Sequence, residues 1–235
     1  MKPQYAIIVA GGKGTRFNSV LPNPDAVPKQ FLLLNGMPVL MHTLQRFADY
    51  YTSQRLEPHI ILVLPEAQIS YWDKLCKQYD FGVPHTIATG GETRTLSVSN
   101  GLQHVPNNAL VAIHDGVRPL LTAKLIERCF NEAEQTGCAI PTMPATDTLR
   151  LITGKLIDRN SILCVQTPQT FDSTLLKQAY QHVLTASPDT VYTDDASVYE
   201  AFGKKLSFVE GESNNIKITR PFDLAVAKML LLADN

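Results

Sequence analysis

Four short apolar runs, residues 5–9, 60–64, 110–113 and 138–143, punctuate the chain, and apolar residues recur at helical spacing in the stretches between them. Runs of this length without polar alternation are what strands buried on both faces look like, as in a mainly parallel sheet. After Pro38, a helix start, Leu40, Leu44 and Phe47 make one apolar stripe. Val98, Leu102, Val105, then Leu125, Cys129, Ala133, then Leu175, Ala179, Val183, and finally Leu224, Ala227, Leu231 repeat it. Residues 206–209 and 216–218 read as two further short strands. The alternation predicts a single α/β domain over residues 1–235, an open, doubly wound, mainly parallel sheet with helices on both faces. Residues 145–167 break the rhythm: 148–152 and 155–157 around Gly154 predict a protruding β-hairpin arm.

Charge and cysteine usage narrow the function classes. Twenty-one Lys and Arg against 22 Asp and Glu leave a net charge of −1. That is no basic excess with which to coat nucleic acid, so a polyanionic partner has to be small and met by a local cluster. Cys76, Cys129, Cys138 and Cys164 lack C-x-x-C spacing and histidine neighbours, so no zinc site is written there. Each lies in or beside an apolar stretch, which predicts buried, reduced thiols in a cytoplasmic protein. No apolar run approaches a membrane span, and the run at residues 5–10 is too short for a signal peptide, so a soluble chain is expected.

Ala10-Gly11-Gly12-Lys13-Gly14-Thr15-Arg16 follows the first strand directly, on the sheet edge where α/β proteins bind ligands. Glycines there let backbone N–H groups approach phosphate oxygens. The turn is neither a dinucleotide fingerprint, since Phe17 stands where the third glycine belongs, nor a Walker loop. Three glycines with Lys13 and Arg16 favour phosphate over a bare turn.

Further segments stand in a fixed order: Pro28-Lys29, Gly90-Gly91-Glu92-Thr93-Arg94-Thr95-Leu96-Ser97, His114-Asp115-Gly116-Val117-Arg118-Pro119, Thr167-Pro168-Gln169, Thr193-Asp194-Asp195-Ala196-Ser197 and Asn215-Ile216-Lys217-Ile218-Thr219-Arg220-Pro221. With the glycine turn they resemble the nucleotidyltransferases that load sugars and polyols onto nucleoside triphosphates. Taken together, from Tyr5 to about Leu231, they are similar to the 2-C-methyl-D-erythritol 4-phosphate cytidylyltransferase family of the non-mevalonate isoprenoid pathway. The resemblance implies a Rossmann-like nucleotidyltransferase fold, CTP as co-substrate, Mg²⁺ or another divalent cation, and pyrophosphate as leaving group. It makes Arg16, Lys29 and Lys217 the catalytic cations. It assigns Ala10, Gly11, Gly12, Gly14, Gly91, Glu92, Ser97, Asp115, Gly116 and Arg118 to the nucleotide, with Asp115 on the metal. Thr148, Arg159, Thr167 and Thr193 fall to the polyol phosphate, and the arm implies a homodimer in which Arg159 acts on the neighbouring site.

The residues carry their own chemistry beside that. Asp115, ending a buried strand, is either a hard oxygen ligand for Mg²⁺ or an ion-pair partner of Arg118. Lys217, between two isoleucines, points opposite to both and needs an anion, a phosphate or a carboxylate such as Asp115 or Glu210. His114 reads as a packed, hydrogen-bonded histidine, because a phosphate nucleophile needs no base. Arg94 reads as a phosphate ligand or a solvent-facing charge. Arg16 and Lys29 are separated by a long loop, residues 18–28, expected to order over bound CTP. Gly11, Glu92 and Gly116-Val117 depart from the family's usual residues, and the first and last lean toward a ribitol 5-phosphate cytidylyltransferase. A catalytically silent nucleotide-binding module on the same fold is the other alternative.

Overall fold

The structure is a computed structural model, and it describes residues 2–11 and 27–233. Gly12, Gly14, Arg16 and residues 18–26 of the expected lid lie outside those residues.

Among the described residues the chain forms an eight-stranded sheet flanked by helices. In chain order the elements are β1 (Gln4–Val9), β2 (Leu33–Leu34), β3 (Met37–Pro38), α1 (Val39–Ser53), β4 (Ile60–Leu64), α2 (Glu66–Gln78), β5 (Thr86–Thr89) and α3 (Arg94–Leu102). They continue with β6 (Leu110–Asp115), α4 (Ala123–Thr136), β7 (Cys138–Pro144), β8 (Leu149–Arg150), β9 (Leu156–Ile157) and β10 (Leu163–Val165). Last come β11 (Gln169–Asp172), α5 (Ser173–Ala186), α6 (Asp195–Ala201), β12 (Phe208–Glu210) and α7 (Pro221–Ala233). The sheet runs β10-β7-β11-β6-β1-β4-β5, with β12 on β7. β5, β4, β1 and β6 are parallel, while β11 and β10 run antiparallel to their neighbours.

Strand alternation explains why the sheet is wound on both sides. Ala6 and Ile8 join a core with Leu44, Phe47, Trp72, Ile126 and Phe130 from α1, α2 and α4. Ile7, between them, joins the opposite core with Val98, Leu176, Ala179 and Val198 from α3, α5 and α6. A third, smaller core joins Leu34 and Val39 to Val117, Ile218 and Ala227 of α7.

Residues 216–218, read as a strand, form none. Ile218 donates one bond to the Val117 carbonyl and is buried against α7 and the loop after β6, so packing rather than a ladder holds the segment. Val105 lies beyond the end of α3, although it is buried with the stripe. Cys164 corrects the expectation of four buried thiols. It is exposed on β10, whose three residues all face outward, and Cys76 is half-buried. The arm is present as the β8–β9 ladder, which pairs Leu149 with Ile157 and Arg150 with Leu156.

Candidate active site

The register delivers the motif residues to one edge. Val9 pairs with both Val63 and Asp115, and Leu64 pairs with Thr89, so Gly11, Gly90 and Gly116 all leave the same carboxyl end of the sheet. β11 runs the other way, and therefore begins there: Gln169 pairs with Ile113, which sets Thr167 beside Asp115.

Asp115 is the centre of this edge. Its Oδ2 accepts from Lys217 Nζ at 2.8 Å and lies 3.5 Å from Arg118 Nε, and its side chain is only 13% exposed. Burial pushes its carboxyl up, but Lys217, then Arg94 and Arg118, outweigh that and hold it below the usual carboxylate range. The Arg118 guanidinium also donates to the Asn215 carbonyl at 2.7 Å. Asn215 is fully buried and donates to the Thr167 carbonyl at 2.8 Å, which ties the Lys217 segment to the start of β11. Two cations around one carboxylate leave positive charge in excess, the condition for holding phosphate.

Beneath it runs a directional chain of hydrogen bonds. The Asp115 N–H donates to Thr167 Oγ1 at 3.2 Å. His114 Nε2 faces the Arg118 carbonyl, which can only accept, so Nε2 carries the proton and Nδ1 accepts from the Thr167 hydroxyl. Burial drives the His114 pKa down to about 4, so the ring is neutral. With both nitrogens engaged, His114 is the packed histidine expected, and Thr167 is buried with its hydroxyl committed within the chain.

The segment from Gly90 to Leu96 is shaped by Ser97. Its hydroxyl accepts from the Gly91 N–H at 3.1 Å and reaches the Thr93 carbonyl at 2.8 Å, while Thr93 caps α3. A Cβ on Gly91 would stand 2.5 Å from that of Leu96, so the loop closes this tightly only with glycine there. Gly11 lies over the same serine, 3.9 Å from its hydroxyl to a built Cβ. Glu92 is exposed. Lys29 begins a short 3-10 turn, and its neighbour Gln30 donates to the Ala10 carbonyl at 2.9 Å, anchoring that turn to the end of β1.

Arg94 does not stand free in solvent: it is engaged in an ion pair. Its guanidinium meets Asp195 bidentately at 3.0 and 2.5 Å, and Tyr180 donates to the same carboxylate. Burial works against the charge on Arg94, and the Asp195 carboxylate overcomes it and holds the guanidinium above its ordinary value. Gln169 and Asn215 are further site residues that the motifs carried without revealing their work. The Gln169 side-chain oxygen accepts from the N–H groups of Asp195 and Ala196, fixing α6 to the start of β11.

Thr193 is exposed immediately before that helix. Thr148 and Arg159 lie apart from the cluster, on the arm, where Arg159 donates to the Thr146 carbonyl. As for a metal, the described residues hold no group of three His, Cys, Asp or Glu able to bind one alone. One ionised carboxylate that meets Lys217 and Arg118 through Oδ2 fits a divalent ion carried in by phosphates, which is how Mg²⁺ is usually held.

A mainly parallel sheet whose carboxyl edge gathers Gly11, the turn of Lys29 and the Lys217–Asp115–Arg118 cluster has the setting of a nucleotidyltransferase. The family model for 2-C-methyl-D-erythritol 4-phosphate cytidylyltransferase matches residues 4–233, and the chain belongs to that family. A curated cytidylyltransferase of that name from Porphyromonas gingivalis is 47% identical over 97% of each chain. One from Bacteroides thetaiotaomicron is 47% identical over 97% of this chain and 99% of its own. The solved Thermus thermophilus enzyme of the same name superposes with a TM-score of 0.77, at 28% identity over 97% of this chain and 98% of the other.

Proposed function

We propose a division of labour for the reaction of this family: the chain transfers the cytidylyl group of CTP to 2-C-methyl-D-erythritol 4-phosphate, with Lys217, Lys29 and Arg16 as the charge-neutralising groups. A phosphate oxygen of the acceptor attacks the α-phosphorus in line; the new P–O bond forms as the bond to pyrophosphate breaks. The nucleophile is already an anion, so the chemistry asks for positioning and neutralisation rather than a base. A neutral His114 with both nitrogens engaged supports that reading. Gly91, Glu92 and Ser97 would receive the cytosine, the turn from Ala10 to Gly14 with Gly116 and Arg118 the phosphates, and Thr193, Thr148 and Arg159 the acceptor, while Thr167, its hydroxyl spent on His114 and the Asp115 N–H, would hold Asp115 in place beside it. A divalent ion, when bound with the triphosphate, would share Asp115 and add Lewis acidity at the phosphates.

The observation that carries the reading is the Lys217–Asp115–Arg118 cluster, set where the family's nucleotide segments converge. The reading extends to a homodimer whose arms complete each other's acceptor pockets. Supporting it, Leu151, Ile152 and Leu156 on the arm and Leu163 and Val165 on β10 are exposed apolar side chains. It extends also to a cytoplasmic setting, which suits four free cysteines. Among the described residues no helix is long and apolar enough to cross a membrane.

The test is pyrophosphate release from CTP and Mg²⁺ with either polyol phosphate. Release with 2-C-methyl-D-erythritol 4-phosphate and not with ribitol 5-phosphate is expected. The reverse preference would reassign the acceptor, and CTP binding without any release would mean a silent module.

A further inference from the structure

The two substrate loops end alike. The loop of Gly90 to Thr93 runs into α3, whose first residue is Arg94, and the loop of Thr193 and Asp194 runs into α6, whose first residue is Asp195. These two first residues clasp each other bidentately, at 3.0 and 2.5 Å. Asp195 is fully buried, and the Tyr180 hydroxyl from α5 donates to it at 2.5 Å. Gln169 accepts from the Asp195 N–H at 2.9 Å and donates to Asp194 Oδ2 at 3.0 Å, so the acceptor loop is fastened to β11 as well. Ser97, one turn into α3, fastens the nucleotide loop to the other end of the clasp.

We propose that Arg94 and Asp195 are positioning residues that couple the two substrate sites: ordering the loop around cytosine sets the helix start from which the acceptor loop hangs, and conversely. A fork of two charge-assisted bonds on a buried carboxylate transmits orientation as well as attraction, because neither helix start can rotate without losing one of them. Linkage makes the effect reciprocal, so each substrate must tighten the other by the same factor. The proposal rests on the reading above, in which Glu92 faces the nucleotide and Thr193 the acceptor.

The experiment is calorimetric titration with the non-reacting α,β-methylene analogue of CTP, in the presence and absence of 2-C-methyl-D-erythritol 4-phosphate. In the unaltered protein the acceptor should tighten the nucleotide analogue about 5-fold or more, within the ordinary range of coupling between sites. In Arg94→Lys and Asp195→Asn the factor should fall to about 1, while a merely structural pair would lower the melting temperature and leave the factor intact. Tyr180→Phe removes a single hydroxyl and should reduce the factor partway; it decides the matter if the other two variants do not fold. An unchanged factor in a folded variant, or none in the unaltered protein, overturns the coupling. Glu92→Ala and Thr193→Val separate the two failures. If they do not weaken nucleotide and acceptor respectively, the loop assignment is at fault rather than the clasp.

Discussion

Asp115 stands at the end of a strand buried on both faces, whereas Arg159 stands in a single 3-10 turn beyond a two-residue ladder. The carboxylate has Lys217, Arg118 and the Thr167–His114 chain around it. Among the described residues the guanidinium donates to a carbonyl of its own arm. On the proposed assignment, the charge-handling half of the site is thus over-determined by its own chain, and the acceptor half is not. Where groups must act on a phosphorus, preorganisation is what makes them effective, and burial supplies it. In the proposed dimer, a half that must first admit the substrate is left open, to be completed by the partner's arm.

The sharpest way to break this contrast is Lys217→Ala. A folded variant should lose on the order of 10²–10³ in pyrophosphate release, as for other preorganised charge-stabilising groups. A steady-state rate near that of the unaltered protein would remove Lys217 from the chemistry.

Next in size is a pH effect confined to the buried half. His114 titrates near 4 when folded, against an ordinary value of 6.5. Between those values the unfolded chain binds the extra proton, so stability should fall as pH drops from about 6.5 to 4, by about 2–3 kcal/mol from this residue. Urea unfolding of the nucleotide-free protein at several pH values measures it, and His114→Gln should flatten that slope. Asp115 acts lower: its depressed carboxyl contributes stability above the ordinary carboxylate range and surrenders it as pH falls through the folded value.

On the arm, Arg159→Ala should raise the KM for the polyol phosphate by about 10- to 100-fold, the worth of a hydrogen bond to charge, and leave the KM for CTP unchanged. Mixing this variant with Lys217→Ala should restore part of the activity through hybrid dimers, each with one intact site. No recovery would mean that arm and site belong to one chain. The smallest effect is expected at Gly154, whose φ of 91° suits glycine at the arm's turn. Gly154→Ala should cost about 1 kcal/mol locally and raise the acceptor KM a few-fold, with nucleotide affinity untouched. A change in CTP binding there would blur the separation of the two halves.

How much of this was legible in the chain depends on where partners lie. β1, β4, β6 and β7 announced themselves because both faces of each are covered, leaving unbroken apolar runs. β11 did not. All four of its residues are buried, yet three of them, Gln169, Thr170 and Asp172, are polar: Gln169 accepts from the start of α6 and Asp172 caps α5, while the Thr170 hydroxyl has no partner among the described residues. α2 escaped for the opposite reason, burying only Trp72 and Leu75 along its length. At the site, Asp115 and Lys217 were readable from short motifs, and their ion pair stood among the readings. The destination of Arg94 was not, since its partner lies 101 residues away and neither local sequence betrays the pairing. Likewise, Ile216 and Ile218 looked like a strand because burial against a helix leaves the same apolar mark as a ladder.

The shared direction of β1, β4 and β5 has a practical consequence at their other ends. Tyr5, Pro58, His59, Pro84, His85 and His104 gather there around a shallow, polar depression, a whole strand length from Gly11. Short connecting segments on such a face tolerate additions. A dye or a surface tether fixed at that end would leave the edge that carries Asp115 and Lys217 facing outward into solution.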